Sequence, residues 1–308
     1  MNIHPFFHSQ AWFDILEQGF SARTLKISLD IPLAFTFFKG GPFRLAYANF
    51  PIGLITAEET FAVTTTDIAN FLRSQGAQIL HFVTPHLIQD LNQSRDIYLP
   101  ETVIDNLANW EESRLPADVR YEVRRSRREG LRVRKVNIED SKHLYALYKA
   151  TVGRHGGQIR YTLEYFKALT ALAQHDQRLD CRVGLPTDGD EPCAFIVTAH
   201  DGDIAYYLHG GYDASYARLR SGYGLINLAI THARDSGCKV FNLMASPMNQ
   251  PDLVKFKEKW GGVTHQLVVR HQVLNVVGNL LMVGLNWRKL ISNYQHRFHI
   301  SNIHKSKV

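Results

Sequence analysis

Apolar residues along the chain recur either in short dense runs or at helical spacing, and glycine, proline or small polar clusters separate them. The pattern predicts an opening helix at 9–18 and strands at 24–28, 33–38 and 43–48, with Gly40-Gly41-Pro42 turning the second into the third. Thr66 or Asp67 caps a helix that runs to Ser74 and stops at Gly76. Strands at 79–83 and 96–99 follow. From residue 118 the pattern restarts, with a helix at 118–129, a strand at 131–136, helices at 139–151 and 162–173, and strands at 181–185, 193–199 and 203–209. Asp201-Gly202 is a hairpin signal between the last two.

The second half is organised around residues 203–262. After the aromatic strand at 203–209 comes a basic loop, Arg218-Leu-Arg-Ser-Gly-Tyr-Gly224, which opens into a helix. Leu225, Ile226, Ala229, Ile230 and Ala233 recur on one face of that helix, and Gly237 stops it. A strand at 239–244, a short helix carrying Phe256 and Lys257, and a strand at 263–271 complete the order. A loop at a helix N-terminus offers unpaired N–H groups and the positive end of the helix dipole. Arg218, Arg220, Gly222, Tyr223 and Gly224 therefore suit an anion such as a phosphate, although glycines before a helix are also ordinary loop punctuation.

Length and composition narrow the class. At 308 residues the chain is long enough for about two domains of roughly 150 residues, and both halves read as α+β units. Hydrophobic residues make up 45% and aromatic ones 11%, which is ample for packed cores and argues against disorder. The net charge of +6 favours anionic partners without choosing among nucleotides, RNA, phospholipids and acidic glycans. Cys181, Cys193 and Cys238 have no metal or disulfide spacing and fit a reducing compartment. No signal peptide is read at the N-terminus, and no apolar run reaches the ~18 residues of a membrane span, so the expected location is the cytoplasm.

Two charged or amphipathic segments have double readings. Arg120, Arg124, Arg127 and Arg128 load the helix at 118–129, either as a solvated face or as a groove for RNA or another polyanion. After His271 the run LNVVGNLLMVGLNWRKL is an amphipathic helix. It either packs on the core or lies in the plane of a membrane, with Trp287, Arg288, Lys289 and Arg297 at the headgroups.

The order of elements in the second half resembles the GNAT acyltransferase superfamily, and more closely its FemAB-like branch of peptidyl and aminoacyl transferases. The residues that carry the likeness are the basic helix Arg120-Tyr-Glu-Val-Arg-Arg-Ser-Arg-Arg-Glu-Gly130, Tyr165-Phe166, Ala205-Tyr-Tyr-Leu-His-Gly-Gly211, the helix from Ala229-Ile230 to Gly237, and Phe256-Lys-Glu-Lys-Trp-Gly261. The resemblance covers about residues 95–271. It implies an α+β fold of two tandem GNAT-like domains, each a mixed, largely antiparallel sheet flanked by helices, with a C-terminal amphipathic helix. The expected divisions are 1–115, 116–272 and 273–308. In the family's coenzyme-A loop, Arg/Gln-x-x-Gly-x-Gly/Ala, Gly222 and Gly224 match, while Leu219 stands at the first position between Arg218 and Arg220.

The resemblance further implies transfer of an acyl or aminoacyl group to an amine of a cell-envelope or polysaccharide precursor. The co-substrate is acyl-coenzyme A or aminoacyl-tRNA, with no tightly bound cofactor and no metal. Contact with tRNA, and with a membrane through the C-terminal helix, belongs to the same expectation. Acyl transfer needs a cradle for the donor, a stabiliser for the oxyanion and a base for the amine. Lys257, in the Phe–Lys pair, is the expected cation at the reacting centre, with Lys255 and Lys259 as equivalent surface lysines in the bland reading. His209 and Asp213 are candidate bases. Tyr207 and His209 alternate along a strand and so are expected on one face. Arg154, His155 and Arg160, with Tyr207, are the expected acceptor rim. The alternative is a non-catalytic module of the same fold that binds an anionic polymer or a membrane surface.

Overall fold

The structure, a computed structural model, describes residues 4–27, 30–85 and 97–282. The first half runs α1 (Gln10–Phe20), β1 (Arg23–Ile27), β2 (Leu33–Gly40), β3 (Phe43–Ala48), α2 (Ala57–Val63), α3 (Thr66–Ser74), β4 (Ile79–Pro85) and β5 (Ile97–Ile104). Next come α4 (Ala117–Arg128), β6 (Arg132–Lys135), α5 (Ser141–Arg154), α6 (Leu163–Leu172), β7 (Leu179–Leu185) and β8 (Ala194–Asp201). Then follow β9 (Ile204–Tyr212), α7 (Ser221–Asp235), β10 (Val240–Ala245), α8 (Pro251–Glu258) and β11 (Val263–Val273).

The strands form one mixed sheet in the order β1-β2-β3-β4-β11-β5-β10-β9-β8-β7-β6. The long strand β11 joins the halves, because Val269 pairs with Val83 of β4 on one side and with Ile97 of β5 on the other. The sheet therefore does not break at residue 115, and β5 lies between β10 and β11. Most neighbours are antiparallel; β3–β4 and β9–β10 are parallel.

Helices cover both faces of the second half. On one face α5 and α6, with Trp12, Ile15 and Leu16 of α1, pack on Val183, Val197 and Tyr206. On the other, Val119 and Val123 of α4 and Ile226 and Ile230 of α7 pack on Ile196, Ala205 and Phe241. A third cluster gathers Phe35, Phe37 and Leu80 of the first half under Ile68 and Leu72 of α3.

Local chemistry explains several boundaries. The Ser9 side chain accepts the Trp12 N–H and starts α1, as the pattern predicts. Helix α2, which the apolar pattern misses, starts in a capping box between Thr56 and Glu59. Glu59 also accepts from Asn49 Nδ2 at 2.8 Å and lies 2.9 Å from His4 Nε2. His4 Nδ1 lies 3.3 Å from Asp201 at the end of β8, so the imidazole clasps the two halves together. Burial alone would lower its pKa, but the hydrogen bonds to Asp201 and Glu59 raise it to about 9.

Asn275 accepts the Gly278 N–H at 2.9 Å and begins a helical turn at 276–282, where Val276 and Leu280 are exposed. The rest of the expected C-terminal helix lies outside the described residues. No helix among the described residues is long and apolar enough to cross a membrane.

Candidate active site

Parallel strands β9 and β10 pair at Ile204–Val240, Ala205–Phe241 and Tyr206–Asn242, and then part. Strand β9 continues along β8, while β10 bends at Met244, whose φ is +63°. Such a left-handed value is costly for a side chain with a Cβ. It is held by Asn242, whose Oδ1 accepts the Met244 N–H at 2.7 Å, and the Ser246 N–H then bonds the Pro100 carbonyl at 2.7 Å. The parted edges open a cavity of about 840 Å³, walled also by α5, the start of α7 and α8.

Lys257 reaches this cavity from α8 and is 6% exposed. Its Nζ donates to the carbonyls of Met244 at 2.9 Å and Ala245 at 3.3 Å. Burial lowers its pKa to about 8, with Glu101 pulling the other way. The neighbouring Lys255 and Lys259 side chains are 73% and 47% exposed, and Lys259 is paired with Asp118. The fold thus singles out one of three lysines that the sequence leaves equivalent.

The basic loop is arranged differently from its sequence appearance. Arg220 takes φ +49° and α7 begins at Ser221, so Gly222 and Gly224 lie in the first helical turn. A Cβ on Gly222 would meet nothing within 4 Å, and this residue faces the cavity. A Cβ on Gly224 would come 2.7 Å from Ser126 Oγ, so that glycine serves the approach of α7 to α4. Tyr223 and Gly224 N–H groups both bond Arg220 O, at 3.0 and 3.2 Å. Tyr223 also lines the cavity and packs edge-on against Phe256 of α8 at 5.4 Å. Arg220 lines the cavity with its Nε 2.8 Å from Glu122, whereas Arg218 points outward to Glu129 at 2.5 Å. Leu219 is buried.

Tyr207 and His209 both line the cavity, but not from one face. Thr198 pairs with Tyr207 and the adjacent Val197 with His209, so Leu208 is the extra residue of a β-bulge. The bulge cancels one step of the alternation. Tyr207 therefore packs with the α4–α7 cluster and His209 against Tyr161, Tyr165 and Phe166 on the opposite face. Burial lowers the His209 pKa to about 3, and its Nε2 lies 2.8 Å from the Tyr165 hydroxyl.

The remaining candidates divide. His155 lines the cavity. Arg154 does not line it but lies 4.4 Å over the ring of Tyr212, which does, and the Arg160 N–H bonds the hydroxyl of Tyr148, another lining residue, at 2.9 Å. Asp213 is not at the cavity: it caps the following turn by accepting the Ser215 N–H at 2.9 Å, a bond that lowers its pKa. On α4, Arg127 is held by Glu112 at 2.6 Å, Arg125 sits between Glu122 and Glu129, and Arg128 lies over Tyr121. Arg120 is half-buried and Arg124 exposed. Much of the helix's positive charge is therefore met locally.

Sequence reasoning misses Asn242 and Glu101. Glu101 of β5 accepts from Asn242 Nδ2 at 3.1 Å, and burial raises its pKa. The signal was a polar residue between Phe241 and Leu243 in an apolar strand.

Residues 117–257 match the family described as the acetyltransferase (GNAT) domain. The match takes in a little under half of the chain. That span contains every wall of the cavity, from Tyr148 to Lys257, its last residue. Solved structures carry the same fold at low identity. FemX is 13% identical with a TM-score of 0.60, over 86% of this chain and 92% of that one. L-PGS from Bacillus licheniformis is 16% identical with a TM-score of 0.59, over 88% and 90%. The C-terminal domain of a putative lysylphosphatidylglycerol synthetase from Agrobacterium fabrum is 16% identical with a TM-score of 0.58, over 89% and 91%. The chain thus has the fold that these three structures share. No curated protein matches the chain.

Proposed function

We propose that the chain is an acyltransferase that moves an acyl group from acyl-coenzyme A to an amine of a cell-envelope or polysaccharide precursor. The observation that carries this reading is that one cavity holds both the open start of α7 and the buried amine of Lys257. Phosphates of the donor would sit at the start of α7, on the Gly222 side and beside Arg220, where the helix dipole and a guanidinium both favour an anion. The thioester then lies in the gap between β9 and β10. The acceptor amine attacks the carbonyl carbon, negative charge gathers on its oxygen, and the C–S bond breaks as the tetrahedral species collapses, the coenzyme-A thiolate leaving and taking up, directly or through water, the proton that the amine nitrogen loses. Lys257, as an ammonium held on two carbonyls, supplies positive charge to that oxyanion. A cell-envelope acceptor is suggested by the neighbour named as a putative lysylphosphatidylglycerol synthetase.

Neither His209 nor Asp213 is assigned as the base. The first is held neutral with its Nε2 engaged by Tyr165, and the second is engaged in a cap away from the cavity. Acyl-coenzyme A is preferred to aminoacyl-tRNA because Arg125 and Arg127 of α4 are already met by Glu112, Glu122 and Glu129. A melting-temperature screen separates the donors. Acetyl-coenzyme A should protect the protein, whereas a tRNA donor would bind with steep salt dependence. Protection by neither would remove this reading.

A further inference from the structure

The bend in β10 is built from side chains that the transfer reading above does not use. Asn242 is buried, and its two ends are fixed by their partners. The Met244 N–H is a donor, so the atom that receives it is Oδ1; Nδ2 is then left to donate to Glu101 Oε1. A buried carboxamide in an apolar strand is tolerated when both ends are bonded. Beyond the turn, Met244 O and Ala245 O point at Lys257 Nζ. The register of β10 against β5 shifts between Asn242 and Ala245, and the two successive carbonyls both lie within hydrogen-bond distance of the one Nζ.

We infer that Asn242 is a positioning residue for Lys257: by holding Met244 in its left-handed turn it aims two successive carbonyls at the amine and fixes it in the cavity wall. The inference rests on the reading of Lys257 as the cation of the transfer site. An apolar side chain at 242 would leave the Met244 N–H unmet, and the turn would relax toward an ordinary strand. The two carbonyls would then rotate away from Nζ. Glu101 of β5 completes the arrangement. It faces the amine as well as Asn242, and His265 of β11 lies near it in turn.

Competitive labelling of the full chain tests this without donor or acceptor. A short pulse of acetic anhydride at pH 8 is followed by mass spectrometry, with labelling of Lys257 expressed relative to Lys39, which is exposed at the end of β2. In Asn242→Ala the ratio should rise by about tenfold, the equivalent of losing one charge-assisted hydrogen bond. Asn242→Asp keeps an oxygen for the Met244 N–H and should show no rise. A glycine adopts the left-handed turn freely. The double variant Asn242→Ala with Met244→Gly should therefore return to within about twofold of the wild type, and it keeps the test open if the single variant does not fold. An unchanged ratio in Asn242→Ala, an equal rise in the aspartate variant, or no rescue by glycine overturns the positioning role. If labelling behaves as stated while acyl transfer in Asn242→Ala is unaffected, the geometry stands and the role of Lys257 in transfer falls.

Discussion

Tyr207 and His209 stand two positions apart on β9 yet on opposite faces of the sheet, because Leu208 is the extra residue of a bulge. Without it both side chains would lie on one face. With it, the strand sends a phenol toward α7 and an imidazole toward α6, and the cavity is lined from both layers.

His209 acts in this arrangement as a packed, neutral imidazole. Its pKa of about 3 puts no ionisation of it near neutrality. The pH profile of transfer should therefore have no limb near 6.5 that disappears in His209→Phe. That variant leaves the Tyr165 hydroxyl unmet and should lose about 1–3 kcal/mol, read by denaturant unfolding.

The two glycines of the basic loop should respond oppositely to alanine. Gly222→Ala places a methyl in open space within a first helical turn and should be neutral or stabilising by up to about 1 kcal/mol. Gly224→Ala drives a methyl against Ser126 and Leu131 and should cost about 1–3 kcal/mol. Paired melting curves decide it.

As the proposed cation of the transfer site, Lys257 would give transfer its pH dependence. The protonated form carries the charge, so kcat/KM should fall as pH rises through about 8. Lys257→Met should remove that limb and lower kcat by about 100-fold. A profile flat through pH 9 in the wild type would contradict the role.

The His4 clasp makes a separate prediction for stability. Its folded pKa of about 9 lies above the ordinary 6.5, so its contribution is complete below 6.5 and is lost as pH rises through 9. His4→Gln leaves Glu59 and Asp201 buried without their cation and should cost about 3 kcal/mol at pH 6. The difference from the wild type should shrink above pH 9, measured by chemical denaturation across the range.

Most strand and helix positions in the second half were legible because they carry apolar residues at strand or helix spacing with a stop signal after them, as Gly237 follows α7. Helix α2 went unread although Thr56 and Glu59 spell its cap, since its seven residues show no clear apolar face. The insertion of β11 between β4 and β5 depends on pairings across more than a hundred residues, which no local pattern encodes. Lys257 was legible as a candidate, but its burial was not, because VKFKEKW gives three lysines the same local chemistry. The bulge at Leu208 and the turn at Met244 carry no glycine to announce them. Those two unannounced distortions of neighbouring strands are what shape the cavity.

The proposed donor site at the start of α7 is tested most directly by calorimetric titration of acetyl-coenzyme A into the wild type and Gly222→Asp. The aspartate has open space and sits in the first turn of a helix, where a negative charge favours folding. Loss of binding therefore reports the phosphate site and not the fold. The wild type should bind with one site per chain and the variant about 100-fold more weakly, as a like charge against the donor phosphates requires. Equal affinity in the two proteins, or no binding by the wild type, would contradict the account.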